Sequence, residues 1–332
     1  MKKFIIKSLF YFIPFLCVYG IYMFVQTSTT GDIGRLGKIF FGKEYVQYLR
    51  KNYLKKNLTI DTLIVSHEKL QIGDSKVCTI GDSFSAQGIF GYQNYLAHLL
   101  GFKVINILRG DKGQTNAAIA LLNSEIIDSS NCRIFILSVV DRNVIEQLNK
   151  INFGILYKKP PLKENKKNIN YSLHDFSSFI RLKFNYDNPI FEYDLKQECF
   201  THSRYSKTLF NYNENMKFLN TSNTDIAKAK KNLTLLNEKF QEKGVKLIYL
   251  VAADKYDVYR PFMVDNSLPI DTTTNWLSDV SDVFVIDTKP MLQEMVKNGE
   301  KDVYMLNDTH WSYKASEAVA RKLAHAIDSL GF

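Results

Sequence analysis

The feature that most constrains the fold is a series of short, continuously apolar runs, which alternate with helical patterns from residue 75 onward. Runs without polar alternation are typical of strands that are buried on both faces of a sheet. The predicted strands are Lys76–Ile80, Lys103–Ile107, Arg133–Val140, Val245–Ala252 and Val283–Ile286. Because helices separate them, they predict an α/β three-layer sandwich with a five-stranded parallel, flavodoxin-like sheet. In such a sheet, functional sites form at the carboxyl ends of the strands.

Amphipathic patterns between these runs predict the helices that cover the sheet. Leucines recur on one helical face in Tyr92–Leu100, and Gly101 follows as a stop signal. The other predicted helices are Ala117–Ile127, Thr224–Lys243 before Gly244, and about Tyr313 to Leu330 before Gly331.

The amino-terminal segment predicts a membrane anchor. Three lysines precede the uncharged stretch Ser8–Gly31, whose core Leu9–Val25 is almost wholly apolar. A helix needs about 20 such residues to cross the hydrocarbon layer. Val25–Gly31 lacks the small-residue pattern of a signal-peptidase site, which favours an uncleaved helix over a cleaved signal. The lysines favour a cytoplasmic amino terminus, although Arg35 and Lys38 on the far side weaken the contrast.

A long stretch in the middle of the chain has no clear periodicity. Asn149–Ser222 is rich in aromatic residues, Lys and Asn, and a gap of this length inside a domain indicates an inserted lid or a substrate-recognition region. The predicted organisation is a cytoplasmic terminus and anchor over residues 1–31, a juxtamembrane segment over 32–74, and one domain over 75–332 with an insert at about 149–222.

Charge and composition exclude several classes of function. The net charge of +9 favours acidic partners, but basic residues are scattered without an aromatic and basic RNA-binding signature. No glycine-rich phosphate loop opens a helix, and the histidines other than His310 lack metal-ligand spacing. We therefore expect no nucleic-acid partner, no metal and no cofactor. The four cysteines form no CxxC pair and are read as buried thiols.

A serine follows the first predicted strand at once, in the sequence Gly81-Asp82-Ser83-Phe84. A glycine there permits a sharp turn, and a helix amino terminus after the turn would supply amide hydrogens to an oxyanion. The tripeptide alone is weak, because Gly73-Asp74-Ser75 repeats it without a strand before it. Ser83 as a helix cap is the alternative.

The second element of a candidate site precedes the last helix, in Asp308-Thr309-His310-Trp311. A serine hydroxyl becomes a nucleophile when a base takes its proton, and histidine suits this role near neutral pH. A carboxylate must then orient the imidazole. Residues two apart in an extended segment point to the same side, so Asp308 can address His310. A helix cap and a surface histidine are the alternative.

Together the two motifs resemble the SGNH hydrolase superfamily. The Gly-Asp-Ser-Phe turn and the Asp-Thr-His-Trp sequence are similar to its bacterial polysaccharide O-acetyltransferase branch, the AlgX- and AlgJ-like proteins, as are Val251–Tyr256 and Val303-Tyr304. The resemblance covers roughly residues 75–150 and 245–325, and it implies Ser83 as nucleophile, His310 as base and Asp308 as the orienting carboxylate. Unlike in the alginate proteins, the serine precedes the Asp-His pair, which leaves the glycan open.

The resemblance also implies residues for the rest of the site. The amides of Ser83 and Gly113 would form the oxyanion hole, with Gly110 as the alternative to Gly113. The third superfamily block departs from the pattern, since Asp141-Arg142-Asn143 stands where an asparagine usually follows the third strand. Asn143 is the candidate donor there. Candidate substrate-binding residues are Arg109, Arg142 and Trp311, and a core role for Trp311 remains open.

The implied activity is transfer of an acetyl group to hydroxyls of an extracytoplasmic polysaccharide through an acyl-serine intermediate. The implied partners are the polysaccharide acceptor, an integral membrane acyltransferase that delivers the acetyl group, and the bacterial inner membrane, which the chain would cross once with its catalytic domain outside the cytoplasm. A carbohydrate acetyl esterase with the same triad is one alternative. A non-enzymatic glycan-binding scaffold of an export complex is the other.

Overall fold

A computed structural model describes residues 2–28, 31–33, 63–65, 75–108, 113–128, 130–157, 190–212 and 218–332. Within these residues, one parallel sheet is formed by β1 (Leu63–Val65), β2 (Val77–Gly81), β3 (Val104–Leu108), β4 (Ile134–Val140), β7 (Lys246–Ala252) and β8 (Phe284–Asp287). These six described strands lie in the order β1-β3-β2-β4-β7-β8.

The parallel α/β sandwich predicted from the apolar runs is confirmed. All five predicted strands are present, and they lie in the doubly wound order β3-β2-β4-β7-β8. The direction in which successive strands are added reverses beside β2. The short strand β1 extends the sheet beyond β3, on the amino-terminal side of residue 75.

Alternate residues of β2, β3, β4 and β7 enter two separate cores, which is why these runs are apolar throughout. On one face, Val77, Ile136 and Ile248 pack with the helices α2 (Tyr92–Leu100), α8 (Lys289–Lys297) and α9 (Tyr313–Ser329). The other face, which includes Phe135, is covered by the helices α3 (Gln114–Leu122), α4 (Glu125–Asp128), α5 (Asp141–Asn149) and α6 (Asn223–Glu242). A further helix, α7 (Lys255–Tyr259), follows β7.

Local sequence explains where these helices begin and end. Ser222 and Asp225 form a capping box at the start of α6, and Gly101 takes a left-handed conformation after α2. The predicted helix Ala117–Ile127 is wrong as a single element. It is divided into α3 and α4 because the Ser124 hydroxyl donates to Leu121 O at 2.6 Å and accepts from the amide of Ile126.

The predicted insert contains a two-stranded antiparallel sheet of β5 (Ile190–Asp194) and β6 (Thr208–Tyr212). Between these strands, Cys199 and Phe200 are fully buried in the core on the α9 face. The described part of the insert therefore packs against the domain. The remainder, residues 158–189 and 213–217, lies outside the described residues.

The amino-terminal helix α1 runs over Lys2–Ser28 with Pro14 inside it. Its stretch Lys2–Ile21 is long and apolar enough to cross a membrane, judged by length and composition. Three residues after this helix, Gly31–Ile33 lie against the domain, and the Ile33 side chain is fully buried.

Candidate active site

The Ser83 turn lies where the strand order reverses, because β2 has β3 on one side and β4 on the other. Ser83 itself is exposed. Gly81 is required before it, since a Cβ there would overlap Ser85 Oγ and lie 2.9 Å from Ser138 Cβ. The turn thus places a solvent-accessible hydroxyl at the carboxyl edge of the sheet, which is the usual position of a site in this fold.

Asp82 holds the turn against the neighbouring strand. One carboxylate oxygen accepts a hydrogen bond from the amide of Phe84 at 3.0 Å, and the other accepts from the amide of Val140 at 2.8 Å. Because Val140 is the last residue of β4, this buried carboxylate fixes Ser83 relative to two strands.

The sharp turn expected at Ser83 is present, and in it the amide of Ser85 donates to Asp82 O at 3.1 Å. The helix after this turn begins at Tyr92, as predicted, so its amino terminus does not lie directly after Ser83. A glycine-rich stretch with a short 3-10 helix, Gly88–Phe90, separates the turn from α2. The amides of Ser85 and Ala86 are bonded within the turn, to Asp82 O and Ser83 O.

Asp308 and His310 form a directly bonded pair. The Nδ1 atom of His310 lies 2.5 Å from Asp308 Oδ1, and the backbone amide of His310 donates to the same oxygen at 3.1 Å. With Nδ1 engaged by the carboxylate, the Nε2 atom is left to exchange protons with a substrate or a hydroxyl. This is the arrangement a histidine base requires.

The structure brings this pair to the Ser83 turn. The ring of Phe84, the next residue after Ser83, lies 4.9 Å from the His310 ring and 5.0 Å from the Trp311 ring between centroids. Gln87, just beyond the turn, donates from its side chain to Trp311 O at 3.4 Å. Two segments far apart in sequence therefore meet at one sheet edge.

Electrostatics at the pair favour an ion pair. Burial lowers the pKa of His310, but the hydrogen bond to Asp308 and the charges of Asp308, Asp32 and Asp82 outweigh burial and raise this pKa above its ordinary value. Burial alone would raise the pKa of Asp308, but its bond to His310 and the imidazolium charge bring it below the usual range. The imidazole is thus made a stronger base than in solution.

A buried lysine supports the loop that carries the pair. Lys255 is fully buried, and its ammonium donates to the carbonyls of Met305, Leu306 and Asp308 at 2.8, 3.0 and 3.1 Å. Burial lowers the pKa of Lys255 to about 7, against the opposing charges of nearby carboxylates. Three carbonyls directed at one ammonium fix the course of the loop beside His310.

Two predicted oxyanion donors lie at the same edge of the sheet. Gly113 immediately precedes α3 with φ of 76°, a conformation that favours glycine, and Asn143 lies in the first turn of α5. A Cβ at Gly113 would also lie 3.0 Å from Gln147 Oε1. Arg109 and the alternative donor Gly110 lie outside the described residues.

Arg142 is engaged within the protein. Its guanidinium forms an ion pair with Asp254, whose amide donates to Asp141 Oδ2 at 3.0 Å, so the end of β4 is tied to the segment after β7. The Arg142 side chain is 17% exposed. Contact with a substrate would therefore use only the small exposed part of a side chain that already has a partner.

Trp311 is fully buried, with edge-to-face contacts to Phe84 and Tyr92. Its burial fits the core interpretation, and its place behind Phe84 supports the Ser83 turn from inside.

Two groups of side chains among the described residues have a geometry that could hold a cation. One is Asp32 with Asp308 and His310, and the other is the buried set Asp141, Asp254 and Asp257. In the buried set, the pKa of Asp254 and of Asp257 is raised well above the ordinary value by burial and by the charge of Asp141. The positive charges of Arg142 and Lys289 act on the same acids.

Asp32 was missed in the sequence interpretation. The amide of Thr309 donates to Asp32 Oδ1 at 2.7 Å, the Thr309 hydroxyl donates to Asp32 Oδ2, and His310 Nδ1 lies 3.9 Å from Asp32 Oδ2. No motif marks Asp32, which is 277 positions from Thr309. Lys255, also missed, had a signal, because it lies within the Val251–Tyr256 stretch that resembles the acetyltransferase branch.

A doubly wound parallel sheet with a serine turn at its switch point and an Asp-His pair before its last helix is the arrangement expected from the resemblance to the SGNH hydrolase superfamily. Within that class, residues 209–331 match the family described as "SGNH hydrolase-like domain, acetyltransferase AlgX", which confirms the resemblance to that branch. The matched region includes Lys255, Asp308 and His310 but not Ser83. The domain is therefore of the hydrolase or acyltransferase kind.

No curated protein matches the chain. Among solved structures, one similar chain is a mutant of Axe2, an acetyl-xylooligosaccharide esterase from Geobacillus stearmophilus. It shares 11% sequence identity and a TM-score of 0.39, over 77% of this chain and 95% of the esterase.

Proposed function

We propose that the protein transfers an acetyl group to hydroxyls of a polysaccharide outside the cytoplasm, through an acyl-serine intermediate on Ser83. The observation that carries this proposal is the Asp308–His310 hydrogen bond of 2.5 Å beside the Ser83 turn. The match of residues 209–331 to the AlgX acetyltransferase family supports the choice of acetyl transfer.

In the first half-reaction, Ser83 Oγ attacks the carbonyl carbon of the donor ester while His310 Nε2 takes the hydroxyl proton. The carbonyl oxygen becomes an oxyanion, for which the amides of Ser83 and Gly113 and the side chain of Asn143 are the proposed donors. When the carbon–oxygen bond to the donor breaks, His310 returns the proton to the departing alkoxide. Asp308 holds the imidazolium in place throughout.

In the second half-reaction, a sugar hydroxyl enters in place of the donor alcohol. His310 takes its proton, the sugar oxygen attacks the acyl carbon, and Ser83 departs with the proton back on its oxygen. Water in place of the sugar would give ester hydrolysis by the same steps, so the acceptor decides between transferase and esterase. Arg109 and Arg142 are the proposed contacts for an acidic sugar.

The proposed setting is the bacterial inner membrane. The apolar helix α1 supports a single-pass anchor with residues 32–332 outside the cytoplasm. There, an integral membrane acyltransferase would supply the acetyl donor, and the growing polysaccharide would be the acceptor.

Hydrolysis of p-nitrophenyl acetate by the full-length protein in detergent tests the chemistry. We expect activity that disappears in Ser83→Ala and persists in the matched control Ser281→Ala, an exposed serine outside the site. Mass spectrometry of the Ser83 peptide after rapid acid quenching should show one acetyl group. Hydrolysis that survives Ser83→Ala would contradict the acyl-serine route.

The acceptor is tested separately, by incubating the protein with the acetyl ester and an oligosaccharide. Acetylated oligosaccharide that requires Ser83 supports a transferase, whereas release of acetate alone supports the esterase. Absence of both products and of the acyl-serine would favour a glycan-binding scaffold.

A further inference from the structure

We infer that Asp32, in the segment that follows the apolar helix, is a positioning residue of the candidate active site, where its carboxylate holds the Asp308–His310 loop and places a second negative charge beside the imidazole. This inference rests on the proposed function and deepens it. It adds to the site a residue outside the family-matched region, residues 209–331.

The Asp32 carboxylate bonds to the catalytic loop, besides accepting from the amide of its neighbour Ile33 at 2.6 Å. Both of its carboxylate oxygens accept hydrogen bonds from Thr309, one from the amide at 2.7 Å and the other from the hydroxyl. In return, the amide of Asp32 donates to Asp308 Oδ2 at 3.4 Å. Thr309 lies between the two members of the Asp-His pair, so these bonds fix the backbone that connects Asp308 and His310.

The residues on either side of Asp32 pack tightly at the same place. Ile33 is fully buried in the core that contains Phe84 and Trp311. Gly31 has a φ of 78°, and a Cβ there would overlap the carbonyl oxygen of Asn307. Three consecutive residues, Gly31, Asp32 and Ile33, thus each fit the same surface of the loop. A chance contact would not need three matching residues in a row.

The charge of Asp32 acts on the imidazole from a second direction. His310 Nδ1 is 3.9 Å from Asp32 Oδ2 and 2.5 Å from Asp308 Oδ1. The other charged groups near the imidazole are Asp82 in the Ser83 turn and, across the loop carbonyls, the ammonium of Lys255. Burial and the charge of Asp308 raise the pKa of Asp32, as expected for two carboxyl groups that share one cation.

The position of Asp32 also ties the site to the apolar helix. Helix α1 ends at Ser28, four residues earlier, and an extended chain spans at most about 3.6 Å per residue, so Asp32 lies within about 14 Å of the helix end. If α1 spans the membrane as proposed, His310 is held at the membrane surface, where a membrane-bound donor would deliver its acyl group.

The test is an NMR titration of the His310 imidazole in the full-length protein in detergent, with its signal assigned by its loss in His310→Gln. Asp32→Asn keeps the size of the side chain and one oxygen that can accept from the Thr309 amide, and its NH2 group can donate to the Thr309 hydroxyl, but the charge is removed. We expect the pKa of His310 to fall by about one unit or more, because an opposite charge within about 4 Å favours the protonated form. Asp32→Glu should restore most of the shift, and the exposed control Asp279→Asn should leave it unchanged.

The acid limb of the pH–rate profile should move to lower pH by the same amount in Asp32→Asn. The NMR result stands even if the protein has no esterase or transferase activity, so failure of the proposed function is distinguishable from failure of this inference. A His310 pKa that is the same in Asp32→Asn and the unaltered protein would overturn the inference, even if the variant were less stable, since a purely structural contact would give that result.

Discussion

His310 is the residue whose protonation decides the proposed chemistry. A general base must be neutral to accept a proton, and interactions with Asp308, Asp32 and Asp82 raise the pKa of His310 above its ordinary value of 6.5. The reaction rate should therefore rise with pH through this raised pKa, as the imidazole becomes neutral. The sign for stability is opposite: the stabilisation by the charged imidazole is present below the unfolded pKa and is lost as pH rises through the folded one.

We therefore expect Asp308→Asn to lower kcat/KM by about 10²-fold to 10⁴-fold and to move the acid limb of the residual activity to lower pH. The amide side chain retains the shape of the carboxylate but not its charge, and it has one acceptor oxygen where the carboxylate has two. The full pH–rate profile of both proteins is measured in buffers of constant ionic strength. An unchanged acid limb would show that His310 is not the titrating base.

The buried ammonium of Lys255 should stabilise the loop that carries Asp308 and His310. Lys255→Met removes the ammonium and leaves three carbonyls of the loop without their donor. Because each buried acceptor left without its donor costs about 1–3 kcal/mol, we expect a loss of about 3 kcal/mol in the free energy of unfolding by urea. The exposed control Lys228→Met on α6 should change it by less than about 0.5 kcal/mol. Equal stability of the two variants would show that the loop does not depend on the ammonium.

The two motifs and their resemblance to a known superfamily allowed Ser83, Asp308 and His310 to be selected. They did not reveal Asp82, whose importance comes from two amides that meet it only in the folded chain. Nor did they separate the two interpretations of Trp311, since a buried tryptophan and a pocket wall have the same sequence signal.

At the scale of the elements, the continuously apolar strands were the most predictable part. β2 lies one residue from its predicted bounds, because an element buried on both faces admits no polar residue within it. The hairpin of β5 and β6 was not predicted, since β5 is largely exposed and shows no apolar alternation.

Gly81 provides a prediction at this scale. Gly81→Ala would bring a methyl group against Ser85 and Ser138, so the Ser83 turn must shift. We expect a loss of about 1–3 kcal/mol in stability from overpacking, and a loss of esterase activity of at least about tenfold. Gly154→Ala is the matched control, because the nearest atom to its Cβ is 3.6 Å away. Activity that survives in Gly81→Ala would mean that the turn tolerates displacement of Ser83.

At the scale of the whole molecule, the site is assembled from segments that only the tertiary fold brings together. The doubly wound order was predictable because parallel strands and intervening helices leave few arrangements. The contact of Gly31–Ile33 with the loop at Asp308 was not, because it joins chain segments about 276 positions apart and no periodic pattern encodes such a contact. Residues 31–33, shortly after the apolar helix, thus belong structurally to the domain.

Ile33 tests whether this association stabilises the site. Ile33→Ala removes a fully buried side chain from the core that contains Phe84 and Trp311, and such a change typically costs about 2–5 kcal/mol. If Ile33 holds the segment in place, its truncation should release Asp32 as well, and hydrogen exchange at the amide of Thr309, now bonded to Asp32, should become faster. Exchange measured by NMR in Ile33→Ala and in the exposed control Ile270→Ala makes the comparison, since the control should leave the Thr309 amide protected. Equal protection of that amide in both variants would mean that Asp32 binds the loop without help from the core, and the burial of Ile33 would then have no part in shaping the site.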